Sequence, residues 1–573
     1  MVLNKIYVLS AVYSILAIDT ALGQDAGLSK NIGEAIETVS ADQIKADITY
    51  LADDRLKGRL PGTEGYQMAV NYVTGRLKSS GVIPAGENGT WLQTVNLRRA
   101  FVKDAVISLT GAALSGPGAS GASGAPGASN YIVYPNPARP AVQQSSSLVF
   151  VGYGISEPGL GYDDYKNIDV KGKTVVITKG APAQFSSSVA AHVMNNRKLL
   201  NVAAAHGATG LIIGIADSSA NHLADLSNGV YSVIDNKGKV VFSQIYYSEQ
   251  IGFLASIKFE LLNSLFESSG RNLKQVSAQL KAGQPQPFAM KQVINVSLNS
   301  TFKDIVSYNV VGKIPGSDSV LKNEYVVHSA HLDHLGIAKT VEGDSLYNGA
   351  HDNASGIASL LGIAKIYQQI KVKPKRSILI VMVTGEEMGM LGSQYFASHP
   401  TVPVKNMVAD VNTDMPTIIA PLLSVTALGA EHSSLIKQVG QAARFIGLSV
   451  EPDPEPAQAR FTRSDQYSFV VAGIPALHIK YGSKTEDGKN NLNETVAKWR
   501  AKYYHKPQDD INGIFDFNAG KKYAQLNFLI GYLVAEEQNR PKWNSGDIFS
   551  LSSQNGQGSS QGSPHHVPAA SAP

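Results

Sequence analysis

The sequence predicts an α/β protein: a mostly parallel mixed sheet flanked by helices, with a second, small α/β module inserted ahead of it. Apolar runs at Tyr325-Val326-Val327, 377–384, 407–411 and 474–479 alternate with helical stretches. Strands that alternate with helices assemble into parallel sheets covered on both faces. A shorter stretch of the same texture lies upstream, with strand-like runs at 147–151, 174–178 and 210–214 around one helix-like run at 198–206. The chain has 573 residues, 43% hydrophobic and 17% charged, enough for several domains with real cores.

The elements follow in order. Lys5 gives a positive start, residues 6–18 form an apolar run, and Ala21-Leu22-Gly23 is a small-x-small cleavage pattern, so residues 1–23 read as an export signal. That run is shorter than the ~20 residues a membrane-spanning helix needs. The expectation is a secreted or periplasmic protein with no stable membrane insertion after signal removal. Residues 24–140 read as the N-terminal part of the main domain. They hold a helical pattern (Ile44, Ile48, Leu51), a glycine-rich turn at Gly58-Arg59-Leu60-Pro61-Gly62 and a second helix from Tyr66 to Leu77. A Gly/Ala/Ser tract at 111–129 is too poor in apolar side chains to pack and reads as a flexible loop. Residues 141–291 are the inserted module and 292–540 the main catalytic-type domain. Its long helix, 353–370, carries Ile357, Leu360, Leu361, Ala364 and Tyr367 at helical spacing. The Ser/Gly/Gln/Pro-rich stretch 541–573 reads as a disordered tail.

Composition excludes several chemistries. There is no cysteine, which removes thiol nucleophiles, disulfides, iron–sulfur clusters and thiolate zinc sites. Fifty Lys and Arg against forty-six Asp and Glu leave a net charge of +4 with no basic runs, so nothing points to a nucleic-acid partner. Gly172-Lys173-Thr174 has Asn167 where a phosphate-binding loop needs its first glycine, and it leads into a β-branched run. No Gly-x-Ser-x-Gly elbow stands between a predicted strand and a helix, and no His-Glu-x-x-His occurs. Any metal site must be built from His, Asp and Glu.

In open parallel sheets functional groups collect beyond the carboxyl ends of the strands. Just past the predicted strands stand His331-Leu332-Asp333-His334, Glu386-Glu387 and Asp414. The loop before the long helix carries Asp352, and His505 follows later. Two histidines and several carboxylates form a donor set suited to zinc.

Five segments then carry a specific resemblance: 327–336 around His331-Leu332-Asp333-His334, 348–356 around His351-Asp352-Asn353, Thr384-Gly385-Glu386-Glu387-Met388-Gly389, Asn412-Thr413-Asp414-Met415 and Tyr504-His505-Lys506-Pro507. In this order they resemble the successive motifs of the di-zinc exopeptidase family, which includes bacterial leucyl-type aminopeptidases, glutamate carboxypeptidase and glutaminyl cyclase. The likeness runs from about residue 300 to 535 and implies the phosphorylase/hydrolase-like zinc exopeptidase fold. Residues 147–291, with Val149-Phe150-Val151-Gly152-Tyr153-Gly154 and Val170-Lys171-Gly172-Lys173, resemble the protease-associated (PA) domain inserted in such enzymes.

The resemblance implies two Zn2+ per chain, one held by His331 and Asp414, the other by Glu387 and His505, with Asp352 bridging. It implies Asp333 as the carboxylate that orients His331, Glu386 as general base, Tyr504 as oxyanion donor and Arg463 as a substrate contact. Two positions depart from the family: His351, where relatives carry Asp, and Gln466, where many carry His. The implied activity is an exported zinc aminopeptidase acting on peptide or protein substrates. A carboxypeptidase, a glutaminyl cyclase or a non-catalytic binding relic on the same fold stay open, as does the oligomeric state.

Overall fold

The computed structural model describes residues 31–110, 130–245 and 247–550. The expected signal segment, the glycine-rich tract and residues 551–573 lie outside the described residues. Among the described residues no helix is long and apolar enough to cross a membrane.

The strands that organise the fold are β1 (Leu92–Leu109), β2 (Tyr131–Val133), β3 (Ala141–Phe150), β4 (Thr174–Thr178), β5 (Gly210–Gly214), β6 (Phe253–Ile257), β7 (Phe288–Ile314), β8 (Tyr325–His331), β9 (Ser377–Val383), β10 (Met407–Asn412), β11 (Ser424–Leu428), β12 (Ser449–Glu451) and β13 (Ala476–Tyr481). They form one sheet in the order β12-β11-β13-β10-β8-β9-β7-β3-β4-β5-β6-β2, with β1 paired to β7. β9, β8, β10 and β13 are mutually parallel, whereas β7 and β11 add antiparallel neighbours. The sheet is therefore mixed and mostly parallel here, with helices on both faces.

Burial explains the sequence pattern. Every residue of β9 and of β10 is buried, as expected for strands covered on both faces. On one face lie helices Ala41–Leu51, Ser355–Gln369 and Phe517–Glu536, which share a core containing Ile48, Ile357, Tyr367 and Phe528. Helices Leu391–Ser398 and Gln466–Val471 cover the other face through Phe396 and Phe469. Ser40 and Thr63 cap their helices by accepting from the N–H groups of Gln43 and Tyr66.

The inserted module does not hang on a linker. β7 spans 27 residues. Its first half pairs with β3 of the module, its last five residues pair with β9, and β1 follows it along most of its length. The strand runs straight through the expected boundary at 291/292. Its alternating burial is that of a two-faced ribbon, and alternation carries no mark of where one domain ends. β2, placed by sequence with the main domain, pairs antiparallel with β6 and belongs to the module's sheet. A three-residue edge strand is too short to announce itself by periodicity.

The tail also begins later than composition suggests. Trp543 Nε1 donates to the Gly473 carbonyl at 3.1 Å, Asp547 accepts from His432, and Ile548 and Phe549 are buried. A few apolar anchors in a Ser/Gly-rich stretch vanish in an average but are enough to dock it.

Candidate metal centre

Three parallel strands bring the key segments to one edge. β8 pairs in register with β9 (His331 opposite Val383) and with β10 (Ser329 opposite Asn412). The residues just beyond, Glu386, Glu387 and Asp414, therefore emerge beside His331. Asp352 enters from the loop preceding helix Ser355–Gln369, and His505 from the turn after helix Leu492–Tyr503. Gly349, at φ 61°, permits the approach: a Cβ there would stand 2.1 Å from the Asp352 carbonyl oxygen and 2.5 Å from the His334 ring.

Asp352 joins two groups of donors. Its Oδ1 lies 3.3 Å from His331 Nε2, which is itself 3.4 Å from Asp414 Oδ1. Its Oδ2 lies 3.1 Å from His505 Nε2, which is 3.2 Å from Glu387 Oε2. Glu387 Oε1 accepts from His334 Nδ1 at 2.6 Å. His331–Asp352–Asp414 and His334–Asp352–Glu387 each gather ligating atoms within 4.8 Å. All are buried side chains except Asp414, 14% exposed, and His505, 37% exposed.

These residues fit metal cations. His331 Nε2 and His334 Nε2 are buried without a hydrogen-bond partner among the described residues. Asp352, Glu387 and Asp414 crowd one buried volume with Glu386 and Asp465 close by, and such a concentration of negative charge is costly to desolvate unless compensated. Imidazole nitrogens and carboxylate oxygens form a set for zinc or a similar divalent ion.

The surroundings tune each group. Burial raises the Glu386 carboxyl well above its usual range; His331 opposes this, while Asp465, Asp414 and Glu387 reinforce it. Burial likewise lifts Asp465 to about 7. Lys480 donates to the main-chain carbonyls of Asp414 and Met415 at 2.7 and 3.1 Å, and burial lowers its pKa to about 8 although Asp414 opposes the shift. For His505, burial pushes down but the contacts with Asp352 and Glu387 prevail, lifting it to about 11.

Asp333 orients His331 in a different way from the one expected. Its main-chain carbonyl accepts from His331 Nδ1 at 3.1 Å, while its carboxylate stands 3.9 Å away. A carbonyl can only accept, so Nδ1 keeps the proton and Nε2 presents its lone pair to the cluster. The carboxylate instead accepts from the N–H groups of Glu386 and Glu387 at 3.2 and 3.4 Å, aiming the loop that bears them.

Comparison with known proteins now places part of the chain. Residues 309–527 match the profile of peptidase family M28. This segment is an M28 peptidase domain. The chain is 28% identical over 233 residues to a probable leucine aminopeptidase 2 of Aspergillus oryzae, covering 39% of this chain and 43% of that protein. It is 24% identical over 248 residues to aminopeptidase YwaD of Bacillus subtilis (42% and 48%), and 30% identical over 283 residues to carboxypeptidase Q of Xenopus laevis (49% and 50%). It thus spans about half the length of the curated relatives it matches. Among solved structures it is similar to an aminopeptidase from Aneurinibacillus sp. strain AM-1, at TM-score 0.47 and 18% identity, covering 90% of this chain and 100% of that one.

The M28 domain brings His331, Asp352, Glu387, Asp414 and His505 together, with Glu386 and Asp333 adjoining. Tyr504 is stacked on the His505 ring, centroids 3.9 Å apart, and its burial raises the phenol above its usual range. Arg463 is not brought into the cluster: it is exposed, immediately before buried Ser464 and Asp465. The two departures serve as supports. His351 donates toward Asp509 at 3.2 Å and stacks on Phe515, and Gln466 accepts from Asn412 while donating to the Phe461 carbonyl.

Sequence reasoning missed four members of the M28 site. His334 stood in a quoted motif without a role. Asp509 accepts from the N–H groups of His351 and Asp352 at 3.0 and 3.1 Å, fixing the Asp352 loop from behind. Asn353 ties that loop to the Asp414 loop, donating to the Thr413 carbonyl and accepting from the Met415 and Gly356 N–H groups, each at 3.0 Å. Arg59, read only as part of a turn, is fully buried and donates to the carbonyls of Leu332, Asn348 and Gly349 at 3.0, 2.6 and 3.0 Å. Burial lowers its pKa to about 10, with Asp333 and Asp352 opposing. Arg59→Met is expected to leave those carbonyls unsatisfied and to cost at least about 3 kcal/mol of stability. Denaturant unfolding checks this, and an unchanged midpoint would contradict it.

Proposed function

We propose that the chain is an exported exopeptidase that works with two zinc ions and removes residues from the N-terminus of peptide or protein substrates. One observation carries the reading: the two oxygens of Asp352 face separate donor groups, and the Glu386 carboxylate stands beside them with no hydrogen bond or ion pair among the described residues. His331, Asp414 and Asp352 would hold one ion, and Glu387, His505 and Asp352 the other. His334, bonded to Glu387, orients that carboxylate. Zinc bound there supplies Lewis acidity for the scissile carbonyl and for a water molecule. Glu386 takes the proton of the attacking water and returns it to the leaving amine, a task suited to a carboxyl whose proton affinity is held up by burial. Tyr504, whose hydroxyl has no partner among the described residues, donates to the developing oxyanion. Arg463, exposed and outside the cluster, would meet only substrate that extends beyond the metal centre. Export is supported by the charged start, apolar run and cleavage pattern of residues 1–23, and a PA assignment for the module by its two sequence motifs.

A second reading, a carboxypeptidase on the same centre, is favoured by the 30–31% identity to carboxypeptidase Q sequences against 24–28% to the aminopeptidases. Zinc-loaded protein given one short peptide, its N-acetylated twin and its C-terminal amide separates the two. The proposal expects stepwise cleavage of the free-amine peptide and its amide, with the acetylated twin intact. Cleavage of the acetylated acid with sparing of the amide establishes the carboxypeptidase and overturns the aminopeptidase reading.

A further inference from the structure

The inserted module has a ligand-sized cavity of its own, lined by none of the metal-centre residues. β3, β4, β5 and β6 run parallel to one another. In open sheets of this kind the binding crevice lies beyond the carboxyl ends of the strands. A cavity of about 740 Å³ occupies that place, within the range of small-molecule sites. Thr178 and Lys179 reach it from the end of β4, Gly214 to Ala216 from the end of β5, and Leu254 and Ser256 from β6.

Its wall combines apolar surface with uncommitted polar groups. Ile213, Ile215, Leu223 and Leu254 supply the apolar part. Asn196 Oδ1 and Ser277 Oγ, on two further lining residues, are buried with no hydrogen-bond partner among the described residues, and buried polar atoms of this kind call for a ligand or water. Lys179 and Lys281 reach the cavity, and neither ammonium has an ion pair or side-chain hydrogen bond among the described residues. Both lysines are exposed, and neighbouring atoms desolvate the Lys179 ammonium enough to lower its pKa. The acidic residue on the wall, Asp217, is exposed and already accepts from the Ser219 N–H and hydroxyl. His222, also exposed, and the phenols of Tyr134 and Tyr153 complete the titratable groups there, with the Tyr134 hydroxyl 3.3 Å from Ser256 Oγ.

We propose that this cavity binds a carboxylate carried on an apolar body, with Lys179 as its counter-ion and Lys281 at the rim. An ammonium without an ion pair among the described residues, set beside an apolar wall, lacks the one partner such a ligand brings. Two sources share this chemistry: the C-terminus of an apolar peptide and a free medium-chain fatty acid.

The test titrates full-length, zinc-loaded protein with decanoate and decanamide, and with N-acetyl-Leu-Phe and its C-terminal amide, by calorimetry. The acids are expected to bind and the amides not. Lys179→Met should weaken the bound acid by about tenfold or more, while Lys179→Arg restores it and both variants keep their metal content and melting temperature. Binding of decanoate alone identifies a lipid-type ligand, and binding of the acetylated dipeptide alone a peptide terminus; either supports the proposal. Acid binding untouched by Lys179→Met places the ligand elsewhere, including on the metals, and overturns it. Equal binding of acid and amide, or no binding of any probe, overturns it too. Because binding and not cleavage is read, failure here leaves the peptidase reading intact.

Discussion

Glu386→Gln is expected to fold, to carry the same metal as the parent protein, and to lose about 10²–10⁴-fold in kcat with little change in KM. The variant keeps the shape and burial of the side chain and removes its ability to take a proton. The Asp333 carboxylate grips the Glu386 and Glu387 N–H groups, not the Glu386 side chain, so the loop and the Glu387 donor stay in place. Metal analysis and steady-state kinetics on the same preparation check this. A near-normal kcat would remove Glu386 from the acid–base role, and loss of metal would make it a ligand instead.

The second large effect concerns Asp352. In Asp352→Ala both donor groups lose a member at once, since Oδ1 faces His331, which also meets Asp414, while Oδ2 faces His505, which also meets Glu387. Tight binding is expected to fail at both positions together, and turnover with it. Metal that binds only the folded state raises its stability. The parent protein should therefore melt at a lower temperature after chelation, and the variant should show no such difference. A variant that still holds two ions tightly, or that loses only one, would contradict the shared role of Asp352.

The parts of the site that were legible in the sequence are those tied to local pattern. His331, Glu386, Glu387 and Asp414 each follow an apolar run that becomes a buried parallel strand, and such strands end at a common edge for reasons of topology. Asp352 and His505 lie at no strand end and were legible through their motifs. Arg59 was not, because its role exists only across the fold: it and Leu332 are 273 residues apart, and nothing around Gly58 or Pro61 marks a guanidinium that will hold two loops. Asp509 was hidden for the same reason. Asp333 was found, but which of its oxygens meets His331 depends on main-chain direction, which residue identity does not encode. The domain boundary was blurred because β7 is one unbroken strand shared by both parts.

The central claim is a centre in which two cations share Asp352. It is tested most directly by stripping the protein with a chelator and titrating zinc back, while bound metal is counted and peptide cleavage followed. The account predicts saturation at two zinc ions per chain, with full activity reached only as the second is bound and none in the stripped protein. Saturation at one ion, or cleavage that survives complete removal of metal, would contradict it.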